Sequence, residues 1–149
     1  MVSVDELYAK ADALGVSVYR ASLPKTKSLS VSLPGGVCCI GIDARRMKTD
    51  AEHRERLAHE IGHCRTGAFY TPFSPVDNRR KCEETAYRAE IRELLPFPDL
   101  LQAMEDGDRT AWELAERFGV SEDLIRRACA YYVEACGKTF SAVSCQESV

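Results

Sequence analysis

Two of the chain's three histidines, His59 and His63, stand four positions apart with Glu60 between them. Positions i and i+4 share a face of a helix, so both imidazoles can reach one cation, which is the physical reason behind H-E-x-x-H spacing. Glu60 lies about 100° round the helix from His59, outside the ligand pair and placed to touch a water on the metal. A catalytic zinc site takes three protein ligands and leaves a fourth position open, so one ligand has to arrive from another element. The remaining histidine, His53, precedes His59 on the same predicted helix and cannot converge with both. Glu83, with nineteen residues intervening after His63, sits on a separate predicted helix that a loop could fold back against the first. Glu84 is the alternative, because helical register cannot be read from one sequence. The chemistry that such a set permits is metal-assisted hydrolysis, in which the metal brings the pKa of water down to about 7 and Glu60 takes its proton as general base. Tyr70, Tyr87 and Arg88 are candidates for the hydrogen-bond donor that an oxyanion needs.

The elements that must position these residues are legible in outline. Asp5 to Leu14 has helical apolar spacing and stops at Gly15. Val16, Val18, Leu29, Val31 and Leu33 alternate with polar residues as half-buried strands do, and VCCIGI at 37 to 42 is apolar on both faces, as an inner strand is. A small sheet, antiparallel or mixed, is expected. Thr49-Asp-Ala-Glu52 has the form of a capping box, so a helix should begin near Asp50, carry the two histidines and end at Arg65, with Gly67 in the left-handed position beyond it. Leu57, Ala58 and Ile61 supply its buried stripe. Ser74 followed by Pro75 is an expected helix start, and Pro96 ends that second helix at Leu95. Three short helices punctuated by Gly107 and Gly119 follow.

A chain of 149 residues, 45% of them hydrophobic, can bury one core. The division expected is a core over 1–97, a C-terminal helical lobe over 98–137 and a flexible tail over 138–149. The net charge of −3 gives no overall basic field, and no run of about 18 apolar residues or export signal is visible, so no membrane span and a cytoplasmic location are expected. Seven cysteines are an odd number without a CxxC pair; the expectation is reduced, packed thiols, with Cys64 and Cys82 included. The stretch TAWELAERFGVSEDLIRRA has the outline of a helix-turn-helix, but residues 97 to 137 hold nine acidic side chains against four arginines. Direct nucleic-acid binding is therefore not expected, and Trp112, Leu114, Ala115 and Phe118 are expected to face a core.

RERLAHEIGHCRTGAFYTPFSP followed by CEETAYRAEIRELLP resembles the ImmA/IrrE metallopeptidases, in which an HExxH helix is paired with an E-x-x-A…L-[LI]-P helix, and most of all the short forms carried by phages and other mobile elements. Glu83 and Ala86 fill the E-x-x-A, and Leu94, Leu95 and Pro96 fill its end. The resemblance implies an α+β, zincin-like fold and a Zn2+ cofactor held by His59, His63 and Glu83, with Glu60 as general base. The spacing from His63 to Glu83 is also similar to that of thermolysin-like zincins. Ala89 and Glu90 depart from the family's pattern, which has an aromatic residue followed by alanine there.

What the resemblance implies is a zinc endopeptidase whose partner is a protein substrate, a helix-turn-helix repressor encoded nearby on a mobile element. Two other functions fit the same residues: a non-catalytic zinc-containing anti-repressor, and a toxin-like peptidase of a two-gene module. An extended substrate would pair with the strand at 37 to 42 or its neighbour.

Overall fold

The computed structural model describes residues 1–140, in two compact units that divide between Glu90 and Ile91. Of the expected tail, 141–149 lie outside the described residues. The first unit begins with α1 (Val4–Ala13), started by a Ser3/Glu6 capping box. Three strands follow, β1 (Ser17–Arg20), β2 (Ser28–Leu33) and β3 (Val37–Ile42), and then α2 (Asp50–Thr66) and α3 (Val76–Leu94). The fold is α+β.

The sheet has the order β1-β3-β2. β3 is central, as its two apolar faces predict. β2 pairs with it antiparallel through a Pro34-Gly35-Gly36 turn, whereas β1 pairs with it parallel. The sheet is therefore mixed, with the longer pairing antiparallel: residues 21–27 carry the chain past β3 to its far side before β2 begins. The buried Asp43 anchors that crossing, accepting the Leu23 N–H at 2.9 Å, while its own N–H donates to the Lys27 carbonyl. These bonds hold the start of β2, and with it Ser28, over α2.

α2 begins at Asp50 because the Thr49 hydroxyl accepts the Glu52 N–H at 3.0 Å. Only this half of the expected capping box forms. The Glu52 carboxylate takes the Lys48 N–H and the Lys27 ammonium instead, a stronger, charge-assisted partner. Gly67 closes the helix at φ 69°. Leu57, Ala58 and Ile61 are buried, the predicted stripe. Ser74 does not cap α3: its hydroxyl accepts the Thr71 N–H within the preceding turn, and the helix starts at Val76.

Gly62 faces α3. A Cβ built on it would lie 2.8 Å from the Ala86 carbonyl oxygen and 3.2 Å from the Ala89 Cβ. The two helices therefore cross where one has no side chain and the other has only methyl groups. The small residue at 89, unlike the aromatic of the family's pattern, stands at this crossing.

The cysteine expectation fails for one pair. Cys38 on β3 and Cys64 on α2 are joined, their Cα atoms 5.8 Å apart across 26 residues of sequence. Count and compartment said nothing about two cysteines that only the packing of α2 on the sheet brings together. A cross-link closing a loop of that length takes about 3–4 kcal/mol of conformational freedom from the unfolded chain. Among the described residues Cys39, Cys82, Cys129 and Cys136 form no disulfide.

The second unit contains the last turn of α3, then α4 (Phe97–Glu105), α5 (Ala111–Phe118) and α6 (Glu122–Ala130), ending in a wide helical turn over Tyr131–Ala135. Thr110 and Glu113 form a complete capping box on α5, and Ser121 caps α6. Leu114, Ala115 and Phe118 are buried, but Trp112 is 60% exposed. At the second position of a helix whose buried residues follow at 114, 115 and 118, it falls outside that face. Among the described residues no helix is long and apolar enough to cross a membrane.

The α2–α3 crossing can be tested at Gly62. Alanine in its place gains about 1 kcal/mol of helix propensity, but it meets a backbone carbonyl that cannot rotate away, and overpacking costs about 1–3 kcal/mol. Gly62→Ala is expected to lower stability in denaturant unfolding. A stabilised variant would show that the helices have room to spare.

Candidate metal centre

Seventeen residues of helix present His59, Glu60 and His63 from α2, and α3 brings a carboxylate to meet them. Glu83 Oε2 lies 3.0 Å from His59 Nε2, and Glu83 Oε1 lies 3.2 Å from His63 Nε2. One donor atom from each of the three residues falls within 4.8 Å of the other two. Glu84 is not in this cluster; it is half-exposed and pairs with Arg88 one turn along α3. His53 is apart from it too, with Nε2 at 3.1 Å from the Tyr8 hydroxyl.

The other nitrogen of each imidazole is also engaged. His59 Nδ1 lies 3.0 Å from Glu90 Oε2, and His63 Nδ1 meets the carbonyl oxygen of Ala68, just past the helix end. Both partners are acceptors, so each Nδ1 carries the proton and donates. That leaves each Nε2 as the nitrogen whose lone pair can be given to a cation. Neighbouring donors around a tetrahedral ion with bonds of about 2.0–2.1 Å are separated by about 3.3–3.4 Å. The two nitrogen–oxygen separations, one to each Glu83 oxygen, are slightly shorter than this, and two imidazole nitrogens with one carboxylate form a donor set suited to zinc. The residues present fit such an ion.

Burial works against charge on His59, but the Glu83 and Glu90 carboxylates outweigh it and raise the imidazole to about 9. The hydrogen bonds from His59 and His63, and after them one from Tyr70, hold Glu83 well below the usual carboxylate range. The Tyr70 hydroxyl donates to Glu83 Oε1 at 2.7 Å, and this bond with partial burial pushes the phenol up to about 12. Tyr70 thus keeps its proton at any physiological pH.

Glu60 is 7% exposed, and its Oε1 accepts a hydrogen bond from the Ser28 hydroxyl at 2.8 Å. It lines, with the three-residue cluster, a cavity of about 520 Å³ whose wall includes Ser28, Leu29 and Ser30 of β2. β2 is an outer strand, so its far backbone edge has no sheet partner among the described residues. The strand at 37–42 is central, so an open edge of this sheet belongs to its neighbours, β1 and β2. Of the three candidate oxyanion donors, Tyr70 and Tyr87 line the cavity and Arg88 does not. Tyr87 sets its ring against His59 at 4.4 Å between centroids. Cys64, bonded to Cys38, and Cys82, donating weakly to the Phe69 carbonyl, supply no atom to the cluster.

Four features of the site were not anticipated from sequence: Ser28 on Glu60, Glu90 on His59, the Ala68 carbonyl on His63 and the glycine at the helix crossing. Two had a signal. Glu90 lies seven residues after Glu83, on the same face of one helix, and a glycine inside a helix costs about 1 kcal/mol and so calls for a packing reason. Ser28 and Ala68 depend on loops whose paths leave no such trace.

A family model described as Peptidase_M78, IrrE N-terminal-like domain, matches residues 11–129. No curated protein and no solved structure matches the chain.

Zinc affinity should rise with pH. A cation takes the neutral imidazole nitrogen, whereas His59 without metal keeps its proton up to about pH 9, so binding below that pH must expel it. Lower pH means more proton to displace and weaker binding, and the rise levels off near the imidazole's own pKa. Calorimetric titrations with zinc in buffers of different ionisation enthalpy should show about one proton released on behalf of His59 at neutral pH. An affinity independent of pH across the neutral range would contradict this assignment.

Proposed function

Since the chain belongs to the IrrE N-terminal-like peptidase family, whose model spans residues 11–129, we propose that it is a zinc-dependent endopeptidase with a zincin-like core. The observation that carries this reading is the orientation of the two histidines: both Nδ1 atoms are tied to acceptors, and both Nε2 atoms face Glu83. His59, His63 and Glu83 would hold the ion, and Glu60 is the general base.

A zinc ion held there supplies Lewis acidity, lowering the pKa of water and polarising a carbonyl oxygen. The remaining work belongs to the chain's own residues. Ser28 occupies Glu60 Oε1, which fixes the carboxylate and leaves Oε2 to take the proton as water attacks and to return it to the leaving amine. Tyr70, kept protonated beside the cluster, is the donor we assign to the oxyanion, its single O–H turning from Glu83 Oε1 to the developing charge. Ser28, Leu29 and Ser30 of β2 line the cavity, and the outer edge of that strand would pair with an extended substrate backbone.

The peptidase core is assigned to residues 1–97 and a helical lobe to 98–137. By the family resemblance the substrate is a helix-turn-helix repressor encoded nearby on a phage or other mobile element, and its cleavage would switch on that element's genes. Such a substrate would place the protein in the cytoplasm. Reducing thiols there act on Cys38–Cys64, but neither sulfur belongs to the metal cluster.

Replacing Glu60 with Gln separates a peptidase from a zinc-containing anti-repressor. Glu60→Gln should bind zinc as the wild type does, while cleavage of a repressor encoded beside the gene falls by about 10²–10⁴-fold. If Glu60→Gln relieves repression as well as the wild type, the peptidase reading is wrong and sequestration replaces it.

A further inference from the structure

We propose that Glu90 is a positioning residue for His59, and that it sets the metal affinity of the site. This deepens the reading of His59, His63 and Glu83 as a metal site and rests on it. The two histidines are held by unlike partners. His63 lies in the last turn of α2, where the chain leaves the helix and the Ala68 carbonyl is within reach. His59 lies in mid-helix, where the surrounding backbone carbonyls are taken by the helix's own hydrogen bonds. A partner for its Nδ1 has to come from a side chain, and α3 supplies a charged one.

α3 in fact surrounds the ring of His59. Glu83 meets Nε2 at 3.0 Å, Glu90 meets Nδ1 at 3.0 Å, and Tyr87 packs its ring between them. These three residues are spaced i, i+4 and i+7, which is one face of a helix. The ring is thus fixed both in its plane and about its Cβ–Cγ bond. Glu90 is 2% exposed, and a carboxylate so buried is costly unless it is paired. Alanine, the residue that the family's pattern has at this position, would give His59 no acceptor. A charged acceptor on the far nitrogen fixes the tautomer and makes the near nitrogen a better electron-pair donor, effects that change metal affinity by about 10–100-fold.

The test uses the full chain with zinc as the probe, and reads affinity by competition with a chromophoric chelator. Glu90→Leu keeps the side-chain volume and removes the acceptor; Glu90→Gln keeps both volume and an acceptor oxygen; Glu90→Asp keeps the charge but draws it back by one methylene. Glu90→Leu is expected to bind zinc about 10–100-fold more weakly, Glu90→Asp to weaken it as well, and Glu90→Gln to recover part of the loss. The cobalt-substituted proteins should show a shifted visible absorption band for the Leu and Asp variants. If Glu90 serves packing alone, the melting temperature of the zinc-free variants falls while zinc affinity and the cobalt spectrum stay as in the wild type, and the proposal is overturned. Where Glu90→Leu does not fold, the Asp and Gln pair decides on the same criteria. Should the wild type bind no zinc, it is the metal reading that fails, and this inference fails with it.

Discussion

The close approach of α2 and α3 at Gly62 is the constraint on which the site depends. With no side chain at Gly62, α2 lies directly against the Ala86 carbonyl, and Ala86 is three residues, just under one turn, beyond Glu83. A helix is stiff over that length, so the distance between the backbones at the crossing decides where the Glu83 carboxylate ends up. Any side chain at position 62 pushes α3 outward and takes Glu83 away from both imidazoles. The ligand geometry is a consequence of packing, and the packing depends on a residue that offers nothing to pack.

The second requirement is to hold polar groups in a buried place without leaving them unsatisfied. His63, Glu60, Ser28 and Glu90 are all buried, and each has a partner outside its own element: the loop after α2 for His63, β2 and α2 for the Ser28–Glu60 pair, and His59 of α2 for Glu90 of α3. Because a lost partner leaves a desolvated group behind, these bonds tie the strand, the loop and both helices into one arrangement. The Cys38–Cys64 bond adds a covalent link between β3 and α2, next to His63 in the chain but outside the donor set.

Where sequence reasoning went astray, the reasons differ. The capping box at Thr49 was half right, since a lysine that β2 brings close competes for Glu52. Trp112 is apolar and yet exposed, because α5 has a narrow buried face at 114, 115 and 118 and position 112 falls outside it. The parallel pairing of β1 could not be read, because strand alternation shows which residues are half-buried and says nothing about which neighbour a strand adopts.

The sequence by itself determined everything that follows from the period of a single helix. His59 and His63 on one face, Glu60 turned off it, the start of that helix at Thr49 and its stop at Gly67 are local facts, fixed within a few turns by backbone geometry and capping. The IrrE-like family was legible for the same reason, since its two motifs are each contained in one helix. The family motif pointed to Glu83 over Glu84, which helical period could not do; tertiary structure alone decided which residue holds Glu60, what faces the far side of His59 and which cysteines meet. Each of these is a matter of register between elements distant in the chain, and register is set by the contact surfaces, here by a glycine against a carbonyl oxygen, which no periodicity within one element encodes.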